Sequence, residues 1–452
     1  MSVPRISVYI PSHNYGQFLE EAIESVLRQT VDDWELILID DNSTDNTEKI
    51  MTLYKKDERI KIIKTDGIGL PAVCNLALRH AGGEYIIRLD GDDIFDENIL
   101  LVLGNYLDRH AERAMVFSDF FYVDEQGTIF SHERREQVFK RDNILDNPAN
   151  GACCLIRTQI LKELGGYRED LGAQDGYDLW NKLLGNFKVG NVNLPLFYYR
   201  RHSDNSTNSV NRIVSARRQI KMDSIMKRIG MFKPISVIIP CREKYDFCPD
   251  LWSRKLNGKS LLERNVEKCL NSNLIQKIVV ACDNPRVAGT LAQYNDSRVT
   301  FFQRDPKTTI RSVSLSQTLE AVVKVIDPMG MGVSLVSYPQ APFVQLETLE
   351  EAIGTMILNN ADSAFGAVEL KDPLYRRVSF GLIPINQPRG IQTDFETVYR
   401  EANISMAVKN SNLKTGSVKG RFRVNFAVDP EECLFIDSER NLKIAQIMSS
   451  EK

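Results

Sequence analysis

The sequence predicts an α/β protein in two domains, each built on a parallel sheet. Three observations carry that reading. The strings ISVYIPSHNYGQF, from Ile6, and ISVIIPCREKYDF, from Ile235, open the two halves alike: a β-branched run ending in proline, a polar loop, then a helical pattern. Each helix leads to a second apolar run that ends in aspartate, and strand–helix–strand at this length makes a parallel βαβ unit. A chain of 452 residues has room for two or three domains.

The elements follow in chain order. LEEAIESVLRQ sets Leu19, Ile23, Val26 and Leu27 on one helical face, and ELILIDDNSTDNT is a strand stopping at Asp40 and Asp41. YIIRLDGDD is a further strand that runs into Asp90, Asp92 and Asp93. NGACCLIRTQILKELGGYRED ends a helix at Gly165-Gly166, and LGAQDGYDLWNKLL starts another. RIVSARRQIKMDSIMKRIG then repeats Ile213, Ala216, Ile220, Met226 and Ile229 at near-helical spacing among basic residues. Two readings of it stay open: a linker helix packed on one domain, or a weak membrane-surface helix near a lipid-borne substrate. The expected layout is a domain over 1–212, a linker helix over 213–232 and a domain over 233–452. In the second half LLERNVEKCLNS places Leu261, Leu262, Val266 and Leu270 on one face, and KIVVACDN is the strand ending at Asp283.

Composition narrows the function classes. Hydrophobic residues make up 43% and charged residues 26%, an ordinary globular balance. A net charge of -3, with no basic patch interleaved with aromatics, gives no support to nucleic-acid binding. The N-terminal stretch has no leader pattern and no window approaches 18 apolar residues, so a cytoplasmic protein is expected. The eight cysteines are scattered without a C-x-x-C pair, as expected of reduced, buried small side chains.

The informative feature is YIIRLDGDDIF. Asp90, Asp92 and Asp93 put three carboxylates into four positions behind an apolar run, where they repel one another. A solvated turn is the plain alternative, but a buried strand does not normally introduce one. A calcium loop of the D-x-[DN]-x-[DN]-G type is absent, because Gly91 falls too early. Mg²⁺ or Mn²⁺, held by one or two carboxylates with phosphate oxygens completing its shell, suits the cluster.

Taken together, VYIPSHNYGQFLEEAIESVLRQT, WELILIDDNSTDNT and AGGEYIIRLDGDD resemble, in that order, family 2 glycosyltransferases of the GT-A fold over about residues 5–210. The resemblance implies that Pro11, His13 and Asn14 border the nucleotide base, and that Asp40, Asp41 and Ser43 hold base and ribose. It also implies that Asp90 and Asp92 face the donor diphosphate, while Asp92, Asp93 and His202, in YYRRH, lie at the metal. LGAQDGYDLW resembles the family's acidic motif, which makes Asp175 the base for the acceptor hydroxyl, with Asp178 its rival and Gln174 in place of the usual Glu. The family's Arg-Asn pair before the metal strand is Cys74-Asn75 here, which puts a donor contact in doubt.

Residues 234–448 resemble acylneuraminate and related sugar cytidylyltransferases through Pro240, Arg242, Leu256, Gly258, Lys259 and Leu261, ACDN around Asp283, and EECLFIDSERNLKIAQIM. Arg242, Lys259, Arg304 and Asp437 would then bind a nucleotide. The departures fall where the chemistry should be: the family's loop lysine and asparagine are Leu251 and Trp252, a glutamine is Tyr338, and one aspartate of a pair is Phe435. Losing such electrostatic contacts costs about 10²–10³ in rate each.

The overall expectation is two Rossmann-like nucleotide-binding domains. The first would be a metal-dependent, inverting glycosyltransferase taking a nucleotide-sugar donor and a glycan or lipid-linked acceptor in bacterial surface polysaccharide synthesis. The second would be a cytidylyltransferase-like domain with altered chemistry. Two alternatives stand beside it: a bifunctional enzyme whose second domain makes a CMP-sugar from CTP, and a non-catalytic nucleotide-binding scaffold. The resemblance leaves open a homodimer and peripheral contact with the inner face of a membrane.

Overall fold

The computed structural model describes residues 3–134, 151–170, 175–202, 210–226, 228–310, 312–370, 372–386 and 398–450, with the backbone alone at 175, 185 and 210–215. The chain divides into two compact units, Met1–Ile220 and Lys221–Lys452. The division falls inside the helix Val210–Met226, within the stretch read as a linker.

The first unit holds β1 (Ile6–Ser12), β2 (Trp34–Asp41), β3 (Ile60–Thr65), β4 (Tyr85–Arg88), β5 (Ile94–Phe95), β6 (Arg113–Val123), β7 (Ile129–Glu133), β8 (Cys154–Arg157) and β9 (Lys188–Arg200). They form one sheet in the order β3-β2-β1-β4-β8-β6-β9-β5, with β7 paired to β6. The first four strands are parallel, and β8 joins antiparallel to β4. β1 and β2 are buried along their whole length, as expected of strands covered on both faces. Alternate residues separate into two cores. Val8, Ile10, Leu36 and Leu38 pack with the helices Gly16–Leu27 and Ile99–Arg109. Tyr9, Ile37 and Ile39 pack with Leu70–His80 and with Leu179, Trp180 and Leu183 of Asp175–Asn186. The carboxyl ends of β1, β2 and β4 therefore lie along one edge, where a parallel sheet places its ligands.

The second unit holds β10 (Ile235–Pro240), β11 (Lys255–Leu256), β12 (Lys259–Ser260), β13 (Lys277–Cys282), β14 (Val299–Gln303), β15 (Val333–Ser337), β16 (Ser363–Leu370), β17 (Tyr375–Val378), β18 (Gly381–Pro384), β19 (Val398–Lys409) and β20 (Arg423–Ala427). Its main sheet runs β14-β13-β10-β15-β19-β16-β20, and β11-β12 and β17-β18 are separate hairpins. β10, β13, β14 and β15 are parallel, so both halves begin with a parallel βαβ unit, as the paired opening strings predict. The helix Leu261–Leu270 opens with a capping box, in which Glu263 N–H donates to Ser260 Oγ at 3.1 Å and Ser260 N–H to Glu263 Oε2 at 2.7 Å. No described helix is long and apolar enough to cross a membrane.

Candidate functional site

The chain leaving β4 turns sharply, with Asp93 N–H donating to the Asp90 carbonyl at 3.0 Å. Gly91 sits inside that turn, where a Cβ would stand 3.3 Å from the Tyr15 Cβ. Each of the three aspartates has its own partner. Asp90 pairs with the buried Arg88, Nε to Oδ1 at 2.9 Å. Asp92 Oδ2 lies 2.9 Å from His202 Nε2. Asp93 accepts the Arg200 amide through Oδ1 at 2.8 Å, while its buried Oδ2 has no hydrogen-bond partner among the described residues. Burial first, and then the charges of Asp92 and Asp90, push the Asp93 carboxyl well above the usual carboxylate range. The same burial, reinforced by the three aspartates, raises the Tyr15 phenol.

Next along the edge, β1 and β2 bring their ends together. His13 Nδ1 lies 2.7 Å from the Asp41 carbonyl, and Asn14 N–H donates to Ser43 Oγ at 3.0 Å. Ser43 N–H donates to Asp40 Oδ1 at 3.0 Å. Asn14 and Asn42 adopt left-handed conformations, which asparagine tolerates and which let both strands turn immediately. The Asp41 carboxylate faces the loop after β3, accepting from Thr65 Oγ1 at 2.6 Å and from the amides of Ile68 at 2.7 Å and Gly69 at 2.9 Å. Burial raises its pKa, but these bonds outweigh it and hold the carboxyl below the ordinary range. Pro11, His13, Asn14, Asp40, Asp41 and Ser43 thus gather at one end of the edge, and Asp90, Asp92, Asp93 and His202 form the neighbouring turn.

Arg88 also meets the segment at Gly151 and the helix Asp175–Asn186. Gly151, Gly176, Tyr167 and Trp180 line a small cavity together with Arg88. A Cβ at Gly151 would stand 3.1 Å from Arg88 Nη2, so the glycine admits the guanidinium. Asp175 is the first residue of its helix; its side chain, and Gln174 altogether, lie outside the described residues. Asp178 is one turn on, buried and paired with Lys182 at 2.7 Å. Cys74 is buried with its sulfur 3.9 Å from Arg88 Nη1. Asn75 instead clamps a distant segment, donating to the Tyr167 carbonyl at 2.8 Å and accepting Tyr167 N–H at 2.8 Å.

Two residues had no role assigned from the sequence. Arg88 pairs with Asp90, and Arg200 braces the Asp92–Asp93 turn. Arg88 had only its place two residues before Asp90 as a signal, whereas Arg200 is the arginine of the R-x-H motif that ends at His202.

Family models match both halves, the one described as Glycosyl transferase family 2 over residues 7–165 and the one described as Cytidylyltransferase over residues 237–412. An uncharacterized glycosyltransferase of Methanocaldococcus jannaschii is 30% identical over 213 residues, covering 44% of this chain and 72% of its own length. The chain belongs to glycosyltransferase family 2. Chondroitin synthase of Escherichia coli is 24% identical over 248 residues, 53% of this chain. This family 2 chain spans only 36% of that synthase and 21% of the hyaluronan synthase of Pasteurella multocida. A solved structure of CMP:2-keto-3-deoxy-manno-octonic acid synthetase complexed with CTP aligns with 48% of this chain and 99% of that one, at 15% identity and a TM-score of 0.37.

In the second unit, a cavity of about 220 Å³ lies beyond β10. Arg242, Tyr245, Arg304, Thr308, Tyr338 and Gln340 are among its lining residues. Arg304 is buried and donates to the Cys241 carbonyl at 2.7 Å and the Thr308 carbonyl at 2.8 Å, and burial lowers its pKa. Lys259 and Asp437 do not line this cavity. The L-x-G-K segment is a hairpin turned by Asn257 and Gly258, both at positive φ, and Lys259 points along it to pair with Glu267 at 2.5 Å. Asp437 accepts from Asn441 Nδ2 at 3.0 Å. Leu251 and Trp252 are buried, and Phe435 packs edge-on to Tyr338 at 5.8 Å between centroids.

Proposed function

We propose that the first unit transfers a sugar, with inversion, from a nucleotide-sugar donor to a glycan or glycoconjugate hydroxyl, using a divalent cation. The observation that carries the reading is the turn after β4. Asp92, with His202 on one oxygen, stands beside Asp93, whose second oxygen is buried and has no partner among the described residues. Two carboxylates and an imidazole suit Mg²⁺ or Mn²⁺ as a donor set, although among the described residues no three such groups already stand in a coordinating arrangement. Asp92, Asp93 and His202 would hold the ion. When bound, it neutralises the charge that gathers on the departing diphosphate.

The chain's own groups divide the remaining work. His13, Asn14, Asp40, Asp41 and Ser43 border the nucleoside, with Pro11 fixing the strand end beneath them. Arg88 holds Asp90 in one orientation toward the donor. Asp175 takes the proton from the acceptor hydroxyl as that oxygen attacks the anomeric carbon, and the nucleoside diphosphate leaves from the opposite face. Contiguity supports this placement, because Arg88, the partner of Asp90, shares a cavity with Gly176, next to Asp175. The polysaccharide synthases among the relatives support a glycan acceptor. The test is Asp175→Asn, assayed by nucleoside diphosphate release from a panel of UDP- and GDP-sugars. Donor affinity should persist while release falls at least ~10²-fold; unchanged turnover would move the base elsewhere.

For the second unit the favoured reading is nucleotide binding without nucleotidyl transfer. The cavity keeps Arg242 and Arg304, while Leu251 and Trp252 have entered the core where a loop lysine and asparagine would act.

A further inference from the structure

Arg200 is the largest fully buried side chain among the described residues, 1% exposed, and ends β9 two residues before His202. A guanidinium that is removed from water needs every donor answered. Nε donates to the Asp92 carbonyl at 2.9 Å, and Nη1 to the Glu125 carbonyl at 2.7 Å and the Asp124 carbonyl at 3.3 Å. Nη2 pairs with Glu21 on the helix Gly16–Leu27 at 2.5 Å, and the guanidinium carbon lies 4.8 Å from the Phe18 ring centroid. The Arg200 amide supplies the hydrogen bond to Asp93 Oδ1. One residue therefore ties down the backbone of Asp92, the carboxylate of Asp93, the turn at 124–125 and the first helix. It also sets the point from which the chain reaches His202. Phe18 flanks both groups, its ring centroid 5.2 Å from that of His202.

We infer that Arg200, anchored by Glu21, is a positioning residue that holds the Asp92–Asp93 turn and His202 in the geometry a divalent cation requires. The inference rests on the metal reading for its consequence, but its geometry stands alone. Arginine is required rather than a generic cation. Its planar fork addresses two carbonyl-bearing turns and a carboxylate at once, whereas lysine supplies a single point charge. Supporting groups around metal ligands usually change metal affinity about 10–100-fold when removed.

The experiment compares the 452-residue chain with Arg200→Lys and Glu21→Gln. Glu21 is half exposed, so its variant tests the anchor without burying a new group. Two readouts are taken: amide hydrogen exchange on peptides covering 90–93 and 124–127, and the affinity for Mn²⁺ alone. The expected result is exchange at least ~10-fold faster in those two peptides in both variants, with the strands β1, β2 and β4 unchanged, and Mn²⁺ affinity weakened about 10–100-fold by Arg200→Lys. Wild-type protection of both peptides in Glu21→Gln, or exchange that rises equally across the whole unit in Arg200→Lys, would overturn the positioning role. Loosened turns in a protein whose wild type binds no Mn²⁺ would uphold the clamp and remove the metal.

Discussion

Asp93 holds one oxygen against the Arg200 amide and leaves the other buried, without a partner among the described residues, beside two more carboxylates. An arrangement that disfavours its own charged form is a poor choice for stability and an apt one for a group whose partner arrives with the donor. Asp93→Asn removes that charge at nearly constant volume. The variant should melt at or above the wild-type midpoint in metal-free buffer, yet lose at least ~10²-fold of Mn²⁺-supported turnover. Calorimetry beside an end-point assay checks both halves, and a variant that is less stable but fully active would contradict the account. The sequence showed the aspartates themselves, because three carboxylates crowded behind an apolar run repel one another until a cation joins them. It could not show what supports them. Arg200 contacts Asp92 across 108 positions, and Asn75 reaches Tyr167 across 92. Nothing local marks either residue as a brace.

At the scale of elements, the strands and helices were legible wherever period and punctuation agreed. Both opening strings became parallel βαβ units, and Gly165-Gly166 ends the helix Thr158–Glu163 with two left-handed residues. The antiparallel additions β8 and β19 were not anticipated, since pairing between distant strands leaves no spacing signal. Polar braces make up for what apolar patterning leaves loose. Asp327, buried after the helix Ser316–Ile326, accepts from Gly330 N–H at 3.0 Å, Gly332 N–H at 2.7 Å and Asn410 Nδ2 at 2.8 Å. Burial raises its pKa, but these bonds win and depress it in the folded state. A depressed carboxyl adds stability that is present above the unfolded carboxylate range, about pH 4, and lost as pH falls through the folded value. Asp327→Asn should therefore flatten the acid side of the stability–pH curve of the second unit. Urea titrations from pH 3 to 7 test it, and an unchanged acid slope would count against the brace.

At the scale of the whole molecule, two α/β units with parallel-rich sheets share one chain but differ in what they have kept. The first unit keeps the aspartates expected at its strand ends, with two departures from the family pattern, Cys74 and Gln174. The second retains a cavity with two arginines while apolar residues fill the positions of a lysine, an asparagine and an aspartate. The 452-residue chain should bind CMP or CTP in calorimetry, with Arg304→Met weakening binding at least ~10-fold, and should release no pyrophosphate from CTP with a keto-sugar acid. Pyrophosphate release would restore the bifunctional reading, and absence of any nucleotide binding would leave a scaffold. Most direct for the central claim is the thermal shift of the intact chain and of Asp92→Ala with UDP and GDP, in Mn²⁺ and in EDTA. Ligand that binds only the folded state raises the midpoint by mass action. A rise with UDP or GDP that requires Mn²⁺ and disappears in Asp92→Ala is the predicted result; a rise that survives EDTA, or survives the substitution, would contradict a metal–diphosphate site at this turn.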